Sequence, residues 1–190
     1  MAKKCSYCVN RRRRELHAMK SSKTGHEKPP HLGALVKKGD YAAIKRNRRM
    51  INASNRAALL ELAVRDFTSA PKKPSHVELV KFLIQMGAKP DFHLVCAATV
   101  GPHIDIMNAL IEAGAEQNIF TAAAIGDVDM VRHLLSKDST LASRTTDYNL
   151  LLEREMTALH YTCMSELGKV NRAYADQLVL CAALLLDKIS

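Results

Sequence analysis

The chain has 190 residues, of which 47% are apolar, and this length suits one domain with a buried core. Aromatic residues make up only 5%, with no Trp, and Gly and Pro number 8 and 6, so the composition favours helices and predicts an all-α protein. The longest apolar run, residues 178–186, is well short of the roughly 20 residues that a membrane-spanning helix needs, so we expect no membrane span.

The positive charge of the chain is concentrated at its N-terminal end. Residues 1–50 carry 15 Lys and Arg against 3 Asp and Glu, a net +12, whereas residues 51–190 carry 13 against 16, a net −3. An anionic partner, whether nucleic acid, anionic membrane or acidic protein, would be attracted to that end, and its affinity would fall with added salt.

The cysteines and the N-terminal residues indicate an intracellular protein. No apolar stretch follows the initial Met-Ala-Lys-Lys, so we expect no signal peptide. Three of the five cysteines, Cys96, Cys163 and Cys181, fall within apolar helical runs, where we expect them to be small buried side chains. These features favour a reducing compartment, either the cytoplasm or the nucleus.

Residues 1–31 are rich in charged and small polar residues, and we treat them as a separate basic segment. Cys5 and Cys8 form a C-x2-C pair, and with His26 and His31 they would supply two thiolates and two imidazoles to a tetrahedral zinc ion. The separation between the cysteine pair and the histidine pair is longer than usual in zinc fingers, and there is no second C-x2-C. The alternative is a basic tail whose cysteines bind nothing.

Two clusters of basic residues are candidates for binding anions. The first, within the basic segment, consists of Arg11, Arg12, Arg13 and Arg14. It suits nonspecific attraction to phosphate groups or a nuclear-localisation signal, with an ordinary solubilising tail as the alternative. The second consists of Lys45, Arg48 and Arg49, whose spacing of three and four predicts one shared face of a short capping helix. That helix is either a solvated cap or an extension of the positive surface.

From residue 32 onward, apolar residues recur with the period of a helix. Three stretches align with one another, and each predicts one amphipathic helix with the same buried face: residues 76–91, 103–118 and 127–142. Gly87 and Gly114 stand where the first two of these helices must end, because glycine adopts a left-handed conformation without strain. Shorter apolar helices are predicted ahead of longer ones, at residues 57–64, 93–101, 120–126 and 157–164.

The best-preserved repeat units are TALHYTCM at residues 157–164, HVELVKFLIQMGAKPD and HIDIMNALIEAGAEQN. They resemble ankyrin repeats, whose pattern runs T-P-L-H-x-A, then G-H, then a Val- and Leu-rich helix closed by G-A. The resemblance covers residues 32–190 and implies an ankyrin-like helical solenoid of about four stacked hairpins, the first a polar cap and the last truncated or uncapped. It also implies that Thr157 caps its helix and that His160 ties that helix to a neighbouring loop.

The departures from the ankyrin pattern concern the loops and the C-terminal end. The loop that begins at Ala115 is too short for the β-hairpin finger of the family, whereas residues 65–75, 143–156 and 166–176 are insertions, so we expect binding surface to have moved from fingers to insertions. No polar cap covers residues 184–186, so either the array continues or this face packs on a partner or on a second copy.

The resemblance implies a scaffold that binds another protein and catalyses nothing. The expected partner-binding residues lie at the ends of the longer helices and in the first insertion: Lys72, Lys73, Lys89, Asp91, Glu116, Gln117 and Asn118. No nucleophile with an adjacent base, no paired carboxylates and no Gly-rich phosphate loop is visible in the sequence, so we expect no enzyme and no cofactor other than the zinc considered above. The alternative function is a nucleic-acid-associated protein, in which the basic N-terminal segment makes the contact and the repeats recruit a partner.

Overall fold

The computed structural model describes residues 31–65, 74–146 and 155–189. Within these residues the chain forms ten α-helices and three short 3-10 helices, and the only β-type pairing is an isolated antiparallel bridge between Thr145 and Thr157. The prediction of an all-α protein is therefore confirmed for the described part of the chain.

The helices lie where the apolar pattern predicts them. In chain order the α-helices are α1 (Leu32–Lys38), α2 (Tyr41–Arg46), α3 (Arg56–Arg65), α4 (Pro74–Gln85), α5 (Phe92–Val100), α6 (Ile104–Glu112), α7 (Ile119–Ile125), α8 (Val128–Lys137), α9 (Ala158–Met164) and α10 (Arg172–Ile189). The 3-10 helices are Arg48–Met50, Ser139–Ala142 and Leu167–Lys169. The four predicted short helices are α3, α5, α7 and α9, and the three predicted longer ones are α4, α6 and α8. The alternation of short and longer helices is found only in part, since α5 and α6 both have nine residues and α3 and α8 both have ten.

Successive helices pack as pairs, α1 with α2 and so on to α9 with α10. The first helices of the pairs also pack against one another in chain order, which gives a first row of α1, α3, α5, α7 and α9. In the second row, α2 packs on α4, α4 packs on α6, and α8 packs on α10. Each helix thus buries one side against the partner in its pair and another side against the next pair, as amphipathic helices in a stack must.

Four helices end at a glycine in the left-handed conformation. Positive φ angles of 65°, 85°, 85° and 79° are found at Gly39, Gly87, Gly114 and Gly126. After α4, the Gly87 N–H donates to the Ile84 carbonyl at 2.8 Å, and the N–H of the following residue donates to the Leu83 carbonyl at 3.0 Å. These two bonds satisfy carbonyls that the end of a helix leaves unpaired, and they require the left-handed residue between them. The predicted helix ends at Gly87 and Gly114 are confirmed.

The two Gly-Asp sequences start second-row helices in the same way. Asp40 Oδ1 accepts a hydrogen bond from the Ala43 N–H at the start of α2, and Asp127 Oδ1 accepts one from the Met130 N–H at the start of α8, both at 2.9 Å. Each aspartate satisfies an unpaired N–H of the first turn and places a negative charge at the positive end of the helix dipole.

Two hydrophobic cores lie along the stack. The first consists mainly of aliphatic side chains from α1 to α6, among which Val36, Leu60 and Leu110 are fully buried. The second combines alanines from α7 with aliphatic, aromatic and sulfur-containing side chains, of which Phe120 and Tyr161 are the largest. Small residues on α7 allow its neighbours in the first row to approach closely, because alanine adds little bulk beyond the backbone.

The predicted insertion at residues 166–176 contributes to the fold. Leu167 is fully buried in the first core, although it lies between α9 and α10 in the sequence. The Glu166 N–H donates to the Thr99 carbonyl at the end of α5, at 2.9 Å. Because α10 already begins at Arg172, the second half of the predicted insertion is helical. The Glu166 backbone and the Leu167 side chain anchor the segment, and the expectation that this insertion carries binding surface stays a prediction.

Candidate interaction surface

Three successive first-row helices begin at a polar residue that caps them. Asp91 Oδ1 accepts the Leu94 N–H at 3.0 Å at the start of α5. Asn118 Oδ1 accepts the N–H groups of Phe120 and Thr121, both at 3.1 Å, at the start of α7. Such caps satisfy N–H groups that have no partner within the helix, so each cap fixes the loop that leads into it.

Thr157 caps α9 as the ankyrin resemblance implies. Its hydroxyl accepts the His160 N–H at 3.5 Å, and the His160 ring nitrogen Nδ1 accepts the Thr157 N–H at 3.2 Å. The two residues therefore satisfy each other's backbone N–H groups in a reciprocal cap. The His160 ring contacts Thr157 at the start of its own helix, and the expected tie to a neighbouring loop stays a prediction.

An aromatic ladder connects the same three helices. The rings of Phe92 in α5 and Phe120 in α7 stack with centroids 5.7 Å apart, and Phe120 meets the ring of Tyr161 in α9 edge to face at 5.8 Å. The Cys96 thiol also donates to the Phe120 carbonyl at 3.8 Å. The sequence analysis did not identify this ladder. The sequence does contain a signal for it: Phe92 and Phe120 stand at corresponding places, one and two residues after the capping residues Asp91 and Asn118.

The two ends of the long connection between α8 and α9 pair with each other directly before α9. The Thr146 N–H donates to the Met156 carbonyl at 2.9 Å, and the Met156 N–H donates to the Thr146 hydroxyl at 3.2 Å. Both side chains are buried, so this antiparallel pairing is anchored in the second core. Residues 147–154, the middle of the predicted insertion at 143–156, lie outside the described residues.

We define the capped edge as residues 88–91, 115–118, 145–146 and 155–157, the loops that lead into α5, α7 and α9. The loops at 88–91 and 115–118 both begin with a buried alanine, Ala88 or Ala115, and then turn outward. Because α5 packs on α7 and α7 packs on α9, the three loops lie at neighbouring positions of the first row. The caps and the aromatic ladder hold this edge in one conformation.

The structure places most of the predicted partner-binding residues on the capped edge. The exposed ones are Lys89, Asp91, Glu116 and Gln117. Asn118 is half-buried, and both it and Asp91 have a structural role as caps that the sequence analysis did not assign. Lys72 and Lys73 lie outside the described residues.

His93 connects the ladder to α3. Its ring lies 3.9 Å from the Phe92 ring, centroid to centroid. Burial lowers the pKa of His93 below the ordinary value of 6.5; the nearby Arg65 lowers it too, while Asp91 and Glu61 act in the opposite direction. Arg65 and Glu61 form an ion pair at 2.8 Å on α3. The neutral form of the His93 imidazole is thus favoured in the folded chain.

Exposed large apolar side chains are confined to the C-terminal end of the described residues. They are Val170, Val179, Leu180, Leu186 and Ile189. Val179 is 68% exposed, whereas Leu185 on the same helix is fully buried. Of the residues 184–186 that the sequence leaves without a polar cap, Leu185 is therefore covered and Leu186 is not. Exposed large apolar side chains, where they adjoin one another, are typical of sites that contact another protein.

The second predicted anion-binding cluster is exposed, but its helix is shorter than predicted. α2 ends at Arg46, and the Asn47 side-chain amide donates to the Ala43 carbonyl at 2.8 Å, which satisfies a carbonyl of the last turn. Arg48 and Arg49 therefore lie in the following 3-10 helix, and the prediction that one helix carries them together with Lys45 is wrong. The first cluster, Arg11, Arg12, Arg13 and Arg14, lies outside the described residues.

The predicted zinc ligands are described only in part. Cys5, Cys8 and His26 lie outside the described residues, and His31 is exposed directly before α1. In the part of the chain that the structure describes, no group of three or more His, Cys, Asp or Glu residues is placed to hold a metal ion. Zinc binding by the basic segment stays a prediction.

Two of the three cysteines predicted to be buried are buried. Cys96 and Cys181 are inaccessible, and burial raises the pKa of both thiols, that of Cys181 to about 11. Cys163 is exposed, contrary to the prediction. It lies on α9 two residues beyond the buried Tyr161.

Comparisons with protein-family models, with curated proteins and with solved structures give no match for this chain. The ankyrin resemblance therefore stays a prediction, as do the expected absence of catalysis and the cytoplasmic or nuclear location. Among the described helices, none combines the length and the apolar character needed to cross a membrane.

Proposed function

We propose that this chain is a scaffold that binds another protein through the capped edge and acts by binding alone. The observation that carries the proposal is the aromatic ladder of Phe92, Phe120 and Tyr161 beneath three capped loops. The ladder and the caps fix the backbone of neighbouring loops, while the outward side chains of Lys89 and Glu116 stay exposed. Binding residues on loops that a rigid framework positions are the usual arrangement of a recognition surface.

We further propose that the scaffold is an ankyrin-like solenoid. The helix pairs pack in chain order, and glycine ends corresponding helices in the left-handed conformation, as repeated units require. The antiparallel pairing of Thr145 with Thr157 lies directly before a first-row helix, which is where the ankyrin family has its β-hairpin finger. These features support the resemblance, and the shortened loop at 115–118 is its main departure.

A rigid edge favours binding for an energetic reason. Ordering a flexible side chain at an interface costs about 0.5–1.5 kcal/mol, and a loop that is already fixed avoids much of the equivalent backbone cost. The mixed charges of Lys89 and Glu116 would select a partner with a complementary pattern, since charged groups contribute more to specificity than to affinity. The exposed apolar side chains of α10, such as Val179, provide the second type of surface that a protein partner requires.

A photo-crosslinking amino acid at Gln117 of the full chain, introduced in the cells from which the sequence comes, tests the proposal. We expect a discrete crosslinked protein from Gln117 and not from a matched position at Lys137, which is exposed at the end of α8. The crosslinked protein is then purified, and its affinity for the unmodified chain is measured by calorimetry.

Charge exchanges that leave the net charge unchanged provide the control. Exchanging the charges of the edge, Lys89→Glu with Glu116→Lys, should weaken binding at least about tenfold, a change of about 1.4 kcal/mol. Exchanging two charges of the second row, Glu112→Lys with Lys137→Glu, should change the affinity less than about twofold. Equal effects of the two exchanges, or the same crosslinked products from Gln117 and Lys137, would contradict the proposal.

A further inference from the structure

We propose that the first helix pair carries a second, independent surface, which binds the phosphate backbone of duplex nucleic acid. This surface, the cationic face, consists of Lys37, Lys38, Lys45, Arg46, Arg48 and Arg49. The six side chains are all exposed and fall within 13 consecutive residues, from the end of α1 through α2 to the 3-10 helix Arg48–Met50. The inference does not rest on the capped edge, which lies on other helix pairs.

Within the part of the chain that the structure describes, no carboxylate pairs with the cations of the cationic face. The only acidic residue within residues 37–49 is Asp40, and its Oδ1 atom is engaged as the cap of α2. None of the six cations forms an ion pair with another described residue, whereas cations elsewhere, such as Arg65 and Arg132, do. The face therefore presents a concentrated positive potential to the solvent.

Compensation of helix dipoles does not account for this charge. Lys37 and Lys38 stand in the last turn of α1, and Lys45 and Arg46 stand in the last turn of α2. The C-terminal end of a helix carries roughly half a negative charge, so two helix ends offset only about one of these four positive charges. Arg48 and Arg49 lie in a 3-10 helix of only three residues, which has no comparable dipole to offset their charges.

The backbone that carries the cations is held in place. The Met50 N–H donates to the Asn47 carbonyl at 2.9 Å, and the Asn55 side-chain amide donates to the Met50 carbonyl at 2.8 Å. The Tyr41 ring packs edge to face on Phe82 of α4 at 5.8 Å, and Ile44 is fully buried. Anionic ligands thus meet a preformed arrangement of charges, with only the side chains left to order.

The composition of the face favours nucleic acid over a protein or a membrane. Protein interfaces have an apolar or aromatic centre, and membrane-surface helices insert apolar side chains, but the large apolar residues of this pair, Tyr41 and Met50, are half-buried. The phosphate backbone of nucleic acid, in contrast, is regularly charged, and cationic side chains alone are sufficient to bind it. Binding of single strands commonly uses exposed aromatic rings for stacking, which the face does not offer among its described residues, so the face fits a duplex without sequence readout.

The salt dependence of binding measures this contact directly. Each phosphate neutralised contributes about 0.9 to the slope of log K against log salt concentration, so about four contacts predict a slope contribution of about 3–4. Between about 50 and 200 mM salt, such a contribution lowers the affinity roughly 100-fold.

The experiment uses the full chain and a fluorescent DNA duplex of about 20 base pairs, with anisotropy measured over that salt range. To reduce the contribution of the basic segment equally throughout, all variants carry Gln at positions 11–14. Replacing Lys45, Arg46, Arg48 and Arg49 with Gln should then lower the slope by about 3–4 and weaken binding at least tenfold at low salt. The charge-conserving variant with Arg at Lys45 and Lys at the three arginines should keep the slope.

A variant with the same net charge distinguishes a local surface from general charge. It carries Gln at four scattered exposed cations, Lys89, Lys137, Arg144 and Lys169, and should change the slope by less than about 1. Equal slopes for the two Gln variants would overturn the proposal, and circular dichroism confirms that both are folded. Tighter binding to polyglutamate or to phosphatidylserine vesicles than to the duplex, lost in the cationic-face variant, would overturn the assignment to nucleic acid.

Discussion

The first and last helix pairs expose opposite kinds of surface. The first pair and the 3-10 helix after it expose six cations that have no carboxylate partner among the described residues, and its aliphatic side chains, such as Val36 and Ile44, are buried. Around the last pair, Lys169, Arg172 and Lys188 each have a carboxylate partner, and the apolar side chains of Val179 and Leu180 are exposed.

The two pairs also differ in the segment that joins their helices. The first pair turns at the left-handed Gly39 followed by the capping Asp40, and the same chemistry recurs at Gly126 and Asp127 between α7 and α8. The last pair instead turns through the 3-10 helix Leu167–Lys169, whose Leu167 is buried in the first core. A polar outer face closes the hydrophobic core against water, whereas an apolar outer face leaves surface that a further contact would bury.

The largest expected effect concerns the two sides of α10. Leu185 is fully buried in the second core, so Leu185→Ala should lower the free energy of unfolding by about 3 kcal/mol. Val179→Ala on the exposed side should change it by less than about 0.5 kcal/mol. Urea denaturation measures both. A comparable loss from Val179→Ala would mean that this side of α10 is covered within the chain, and the contrast between the two ends would be lost.

Alanine substitutions at three left-handed glycines test how tightly the individual turns pack against their neighbours. A Cβ atom at Gly39 would overlap the ring of the buried His76, one at Gly126 would lie 3.3 Å from Gln177 Cβ, and one at Gly114 would meet nothing within 4 Å. Backbone strain alone costs about 1 kcal/mol, and overpacking adds about 1–3 kcal/mol. Thermal unfolding should therefore rank the losses as Gly39→Ala, then Gly126→Ala, then Gly114→Ala. An equal loss at all three would contradict the close packing at Gly39.

Local features of the fold could be predicted from the sequence, and long-range ones could not. The ends at Gly87 and Gly114 depend on bonds within one helix end, so the sequence around each glycine was sufficient. The early end of α2 at Asn47, whose backbone N–H and side-chain amide both donate to the Ala43 carbonyl, is not indicated by helical spacing. The burial of Leu167 in the first core and the contact of Phe120 with Tyr161 join residues that are distant in the chain, and no local pattern indicates them.

The cap at Asn118 should stabilise the capped edge by a smaller amount. Its side chain accepts two backbone N–H groups, so Asn118→Ala should cost about 1 kcal/mol of unfolding free energy. Gln117→Ala next to it removes an exposed side chain for which the structure describes no hydrogen bond, so it should leave the unfolding free energy almost unchanged. If both substitutions had the same effect in chemical denaturation, the loop would not be held by its cap.

His93 should give the smallest effect and a defined pH dependence. Because its pKa is lowered in the folded chain, the unfolded chain binds the proton more readily, and stability falls as the pH drops through the unfolded value near 6.5. Above that range the effect is absent. His93→Gln removes this pH-dependent loss of stability. As the pH is lowered from about 8 to about 5, the unfolding free energy of the variant should therefore rise relative to that of the unsubstituted protein. A difference that stays constant with pH would show that His93 is not desolvated.

Amide hydrogen exchange of the full chain tests most directly whether the capped edge is a preformed surface. The N–H groups of Leu94, Phe120 and Thr121 have cap side chains as their partners. If the caps and the aromatic ladder hold the edge, these amides should exchange at least about 100-fold more slowly than those of the exposed Lys89 and Gln117. Phe120→Leu should speed their exchange by loosening the ladder. Exchange of the capped amides as fast as that of Lys89 and Gln117 would contradict the account of a rigid edge.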